Sequence, residues 1–346
     1  MSDVLRLRDV TLSEVQLPFR KPLKTAYDTI ESRKIIRLKM VDVQGRVGWG
    51  EAAPLDGFGP DLFRENREAL DGVLGSLSSL SVEPNCRGVA KGVGALCLPP
   101  SATFAMEQGL LSLLAQRTAS AGGIAGLFVG AQVRTEIPLS RLVHDASGAA
   151  QAMKDGVETV KIKVGAGVIE EDLDRVAAVR RTMGKHGTIR LDANGAWNVP
   201  QAYAFFAQAK GLGVECVEDP VGDWAALASL RRMLAMANID IPIAIDEGVW
   251  RLAGDDSQVL TLKDLADVVV IKPMWMGGLV AAVQMAHKVV ETGLGLIVTS
   301  VLDGVVGRAG AMEVARAVPR SEENALWPCG LDTGHLFSVQ EDASCL

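Results

Sequence analysis

The pattern of apolar and polar positions divides the 346-residue chain in two. Residues 4 to 50 alternate with the period of two that marks strands covered on one face, first in "LRLRDVTLSEVQLPF" and again in "KIIRLKMVDVQGRVGWGE", where Gln44-Gly45 makes a turn. Between them "RKPLKTAYDTIESR" carries Pro22 and few apolar anchors, and reads as a polar loop. From 60 to 117 the period lengthens to that of helices, ending in "SATFAMEQGLLSLLAQR", where Ser101 is placed to cap. Strands followed by helices predict an α+β module.

Beyond residue 130, short apolar runs alternate with longer helical stretches: "EIPLSRL", "TVKIKVG", "TIRLDAN", "VECVEDP", "IPIAIDE", "VVVIKPM" and "GLIVTSV". Polar residues toward their C-terminal ends, Lys163, Asp192, Glu218, Asp246, Lys272 and Ser300, recur every 26 to 29 residues, the length of one strand–helix unit. Repeated units of this kind build a parallel sheet with helices outside. An open nucleotide-binding sheet would carry a Gly-rich phosphate loop, and neither GxGxxG nor GxxxxGK[ST] occurs. In a (β/α) barrel, side chains from the C-terminal ends of several strands converge on one mouth, which is the layout of this series. The expected class is therefore α/β, a (β/α) barrel over residues 126–324. An N-terminal α+β module spans 1–125.

Composition narrows the partners. The net charge is -7 and no basic run stands out, which argues against nucleic acid. Five cysteines, with no CxxC or Cys/His cluster, argue against a disulfide framework or zinc site and for a reducing compartment. The N-terminus lacks a signal-like apolar core, and no window approaches the roughly 20 apolar residues that span a bilayer. The expectation is a cytoplasmic protein that binds no membrane.

The candidate chemistry lies at the strand ends. Adjacent strands lie about 4.8 Å apart, so Asp192, Glu218 and Asp246 would crowd one another if all point inward. One acid at such a junction commonly does no more than cap the next helix. Three at matched spacing, flanked by lysines, call for a cation, and an all-oxygen donor set favours Mg²⁺. In "VKIKVG", Lys161 and Lys163 share a strand face, and Lys272 ends the strand after the third acid. A nearby metal, neighbouring cations and burial would depress a lysine pKa toward the range of a base at neutral pH. Such a lysine would remove a proton from carbon next to a carboxylate. A Schiff-base lysine is the competing enzyme reading, and a non-catalytic binding protein on the same scaffold is the third. The four histidines read as structural, Trp49 and Trp197 as packing residues, and Trp275 as a candidate for the mouth.

Taken together, "GWGEAAPLDGFG", the KxK at 161–163, "DANGAW", "VEDP", "IDE", "IKP" and "GLDTG" resemble the enolase superfamily, in the subgroup of muconate lactonizing enzymes. The resemblance implies Asp192, Glu218 and Asp246 as Mg²⁺ ligands, with Mn²⁺ as a substitute ion, and Asn194 and Glu247 as residues supporting them. It implies Lys163 as acid/base, Lys161 as its neighbour on the substrate carboxylate, and Lys272 on the opposite face. It implies that the module 1–125 is a capping domain to which 325–346 returns, and that the 20–33 loop and Gly57-Phe58-Gly59 close over the mouth. Gly57, Phe58, Trp275, Ser300 and Asp303 are the candidate contacts to a small-molecule carboxylate. Within the subgroup the motifs are most similar to the o-succinylbenzoate synthases, which dehydrate a cyclohexadiene carboxylate for menaquinone synthesis. The alternatives are an N-acylamino acid or dipeptide racemase or epimerase and a cycloisomerase. "GLDTG" lacks the paired DxD acids of dipeptide epimerases, and Asp303 stands where many relatives have Glu or Ser-rich sequence. The acidic end after residue 340 fits no part of the pattern.

Overall fold

The structure, a computed structural model, describes residues 4–24, 29–319 and 325–339. Four strands, β1 (Leu5–Lys24), β2 (Thr29–Asp42), β3 (Val47–Ala52) and β4 (Ser81–Val82), form an antiparallel sheet in the order β3-β2-β1-β4. Helices α1 (Phe63–Leu77), α2 (Cys86–Gly94) and α3 (Pro100–Thr118) accompany it. Ile36, Leu38 and Met40 of β2 are fully buried. β3 lies against α3 closely enough that a Cβ on Gly50 would stand 1.9 Å from the Ala105 carbonyl oxygen, so only glycine fits there.

Two expectations for this region are corrected. The polar stretch at 20–33 is largely strand: β1 runs on to Lys24 and β2 begins at Thr29, with Leu23 opposite Ile30. Its backbone pairs within the ribbon, so it needs few apolar anchors; residues 25–28 lie outside the described residues. Ser101 does not cap α3. Its backbone N–H and hydroxyl donate instead to the Asp61 carboxylate, at 2.7 and 3.0 Å, and Asn66 Oδ1 accepts the Ala102 N–H at 2.7 Å.

The second sheet holds the seven expected runs as parallel neighbours, in the order β11-β10-β9-β8-β7-β6-β5. They are β5 (Ser140–Val143), β6 (Thr159–Lys163), β7 (Thr188–Asp192), β8 (Val214–Glu218), β9 (Ile243–Ile245), β10 (Val268–Ile271) and β11 (Gly295–Val298). α4 (Gly123–Val129) precedes them, and α5 (Ala146–Lys154), α6 (Ile169–Met183), α7 (Val199–Ala209), α8 (Trp224–Met236), α9 (Asp256–Val259), α10 (Leu279–Glu291) and α11 (Val305–Arg316) follow successive strands. The two edges do not stay open. Residues 326–330 bridge β11 through Leu296–Leu326 and reach Gly330 from Thr299, while Cys329 bridges Leu139 just before β5. This segment takes the eighth place around the barrel, and only beyond it does the chain run along β1, through the Phe19–Phe337 bridge. Of the C-terminal stretch expected to return to the cap, the described residues 325–339 thus touch both barrel and cap. Among the described residues no helix is long and apolar enough to cross a membrane. The acidic end after residue 340 lies outside the described residues.

Candidate active site

Register brings the charged side chains together. Lys163 pairs with Asp192 and Asp192 with Glu218 across β6, β7 and β8, so three strand-end residues stand on one rung. Asp246 follows β9 and Lys272 follows β10. With residues 326–330 as the eighth place, β6 and β10 lie four places apart in either direction, diametrically across the barrel. The strands between them on one side, β7, β8 and β9, are those that carry the three acids.

Asp192, Glu218 and Asp246 are buried, at 2%, 1% and 6% exposure. The Lys161 ammonium lies 3.0 Å from Asp192 Oδ2 and 3.1 Å from Glu218 Oε1. Lys272 Nζ lies 2.6 Å from Asp246 Oδ2 and 3.5 Å from Glu247 Oε1. Lys163 Nζ donates to the amide oxygen of Asn194 at 2.7 Å. Asn194 therefore holds both neighbours: its amide oxygen takes the lysine, and its backbone N–H donates to Asp192 Oδ1 at 3.1 Å, the supporting contact expected of it.

The charges act on one another strongly in this buried setting. Burial works against the Asp192 carboxylate, but Lys161, Lys163 and Lys272 outweigh it and hold its pKa below the usual range. Burial pushes Glu218 up to about 7, with Lys161 opposing and Asp192 and Asp246 reinforcing the shift. Asp246 is raised by burial against the pull of Lys272. The expected depression of the lysines is not what the geometry produces at Lys161 and Lys272. Burial lowers both, yet the carboxylates in contact with them win, and both pKa values are raised.

A cavity of about 520 Å³ opens over these groups. Lys161, Lys163, Asp192, Asn194, Asp246, Glu247 and Lys272 line it, as do Gly57, Phe58, Trp275 and Ser300 from the expected substrate contacts. Leu23 and Ile30 of the cap ribbon reach it too. Asp303 does not. It is 1% exposed and lies outside the lining, where Glu51 and Arg33 of the cap are its principal charged neighbours. The expected role of Asp303 as a substrate contact is therefore replaced by one at the junction of cap and barrel. There Glu51 also accepts the Gly304 N–H at 2.6 Å, and Arg33 donates to the Leu302 carbonyl at 3.3 Å.

Sequence reasoning missed three residues. Asp219 lines the cavity and accepts the backbone N–H groups of Asp246 and Glu247, at 3.2 and 2.9 Å. Burial, together with Asp246 and Glu218, raises its carboxyl well above the usual range. Its φ of 41° turns it out of strand alternation, and its position beside Glu218 in "VEDP" was the available signal. His335, read with the other histidines as structural, also lines the cavity. Asp332 lines it with its carboxylate held by Arg141 Nε at 2.6 Å. Trp197 packs as expected, stacked on Phe205 at 4.4 Å.

The donor set suits a hard divalent cation: three buried carboxylates, oxygen only, with Glu218 and Asp246 both raised by burial and by neighbouring acids. Among the described residues no three acid, imidazole or thiol groups are already gathered around one point. Lys161 and Lys272 supply the countercharge in this arrangement, and a cation would compete with them for the same oxygens.

Residues 144–341 match the model of a family described as Enolase C-terminal domain-like. An o-succinylbenzoate synthase of Mycobacterium leprae is 35% identical over 211 residues, 59% of this chain and 58% of that protein. The chain thus spans less than two thirds of that relative. An L-Ala-D/L-Glu epimerase of Clostridium acetobutylicum is 26% identical over 90% of this chain and 87% of its own length. Among solved structures, the substrate-liganded L-Ala-D/L-Glu epimerase of Bacillus subtilis superposes with a TM-score of 0.81 at 26% identity, covering 96% of this chain and 92% of that one.

Proposed function

The chain belongs to the Enolase C-terminal domain-like family, and from that premise we propose that it abstracts a proton from carbon next to a carboxylate and dehydrates a cyclohexadiene carboxylate to o-succinylbenzoate. The observation that carries the proposal is the placing of Lys163 and Lys272 across one cavity, with three buried carboxylates on the strands between them. Asp192, Glu218 and Asp246 would hold Mg²⁺, which when bound polarises the substrate carboxylate and offsets the negative charge that grows on it. Lys163 takes the α-proton into its lone pair as the carbanion charge passes into the carboxylate. The β-carbon–oxygen bond then breaks, and Lys163 returns the proton to the departing hydroxide, which leaves as water. Lys272, tied to Asp246 and Glu247, keeps its proton and stands as a fixed cation on the other face. Asn194 steers Lys163 through the bond to its Nζ.

Asp332 supports this choice over a dipeptide substrate. Its Oδ2 is bound by Arg141, which Asp155 shares, so the carboxylate that faces the cavity is already engaged by a guanidinium and is less free to take a substrate ammonium group. Leu23, Ile30, Phe58, Leu142 and Leu336 add apolar surface suited to a carbocycle. The second reading is proton transfer from one face to the other, as in a racemase or epimerase. It is favoured by two lysines that face each other and by the epimerase that aligns along most of the chain. Assay of purified protein with Mg²⁺ on the cyclohexadiene precursor, on N-acylamino acids and on dipeptides decides between them. Rapid racemisation with the precursor untouched overturns the dehydratase reading.

A further inference from the structure

We propose that Trp275 is a positioning residue through which the cap segment Leu55–Gly59 sets the place of the Lys272 ammonium, an inference that rests on the part given to Lys272 above. Trp275 closes the short turn Pro273–Trp275 after β10 and is 3% exposed. One face of its indole lies under Lys272, with Nζ 4.4 Å from the ring centroid. The ammonium is therefore held by an aromatic face as well as by Asp246 and Glu247.

The edge of the same ring meets the cap. Gly57 and Gly59 sit in one turn, in which the Phe58 and Gly59 N–H groups donate to the Leu55 carbonyl at 3.0 and 3.1 Å. Gly57 has φ +85°, a conformation that favours glycine, whereas Gly59 is outside the positive-φ group. What requires glycine at 59 is the ring. A Cβ there would stand 2.8 Å from Trp275 Nε1 and 3.0 Å from Cε2. Nε1 itself is buried with no hydrogen-bond partner among the described residues, although a buried indole N–H usually finds one. Contact on its face and edge, and no hydrogen bond, therefore fixes the indole. A displacement of the cap turn passes through a rigid ring to the amine.

The test reads the amine directly. Protein in Mg²⁺ buffer is treated with a limiting amine acylator, and labelling of Lys272 is measured by mass spectrometry relative to Lys161 in the same molecule. Gly59→Ala and Trp275→Leu should each raise relative Lys272 labelling by about tenfold, the scale of a desolvated cation–π contact. Trp275→Phe keeps an aromatic face and removes the crowded edge, so it should stay within about twofold of wild type and return Gly59→Ala toward wild type. If Trp275→Leu does not fold, the Gly59→Ala and Trp275→Phe pair carries the test. Unchanged labelling in a folded Gly59→Ala protein, or failure of Trp275→Phe to restore it, overturns the relay. Exchange of the substrate α-proton is followed on the same samples. Labelling as expected with no exchange by wild type overturns the proton abstraction proposed for the site and leaves the relay standing, while exchange with unchanged labelling overturns the relay alone.

Discussion

The carboxylate of Asp219, at the end of one barrel strand, accepts the backbone N–H of Asp246, at the end of the next, at 3.2 Å. Through this bond and a second from Glu247 at 2.9 Å, an acid just after Glu218 aims the neighbouring acid into the cavity. Asp219→Ala leaves both amides unpartnered. The expected result is a loss of ~1–3 kcal/mol of stability and a drop of about 10–100-fold in Mg²⁺ affinity. Urea unfolding and calorimetric titration measure the two effects. Unchanged metal affinity would show that Asp219 supports the loop only.

The acids of the site should differ in sign when neutralised. Asp192 is held ionised by three lysines, whereas Glu218 is pushed up to about 7 by burial. In metal-free protein Asp192→Asn is expected to destabilise by ~1–3 kcal/mol, and Glu218→Gln to leave stability equal or raised at pH 8. Both should abolish turnover and the rise in Tm on adding Mg²⁺. Melting curves with and without Mg²⁺ test this, and an undiminished metal-induced rise in both variants would contradict the assignment.

Asp303 gives a pH dependence away from the metal site. Burial and Glu51 push its carboxyl up to about 7, with Arg33 and Arg308 pulling the other way. Below the unfolded value, about 4, folded and unfolded chains are both protonated. Between there and about 7 the folded chain keeps a proton that the unfolded chain has lost, so this stabilising contribution disappears as pH rises through the folded pKa. Asp303→Asn cannot ionise. Its stability relative to wild type should therefore climb from pH 4 to pH 8 by an amount on the order of a few kcal/mol, read by denaturant unfolding at each pH. A constant difference would contradict the shift.

The barrel strands β6 to β11 were legible because each is a short apolar run closed by a polar residue, and the interval between those residues is a physical unit, one strand and one helix. The eighth place around the barrel was not. "ALWPCG" has no such run and joins its neighbours through isolated bridges. The carboxylates and lysines were legible for a related reason, since strand alternation fixes which side chains point inward. Asp219 escaped because its positive φ breaks that alternation. Asp303 was misplaced because its surroundings, Arg33 and Glu51, come from the cap and are distant in sequence. No local pattern records how cap and barrel dock.

Exchange of the substrate α-proton with solvent deuterium tests the central claim most directly. In Mg²⁺ buffer, wild-type protein should incorporate deuterium at the carbon next to the carboxylate of a non-dehydrating substrate analogue. Lys163→Ala should lose that exchange by at least about 100-fold. Lys272→Ala should also lose dehydration of the cyclohexadiene carboxylate, as expected when a fixed cation opposite the base is removed. Exchange that continues at the wild-type rate in Lys163→Ala, or that is indifferent to EDTA, would contradict the account.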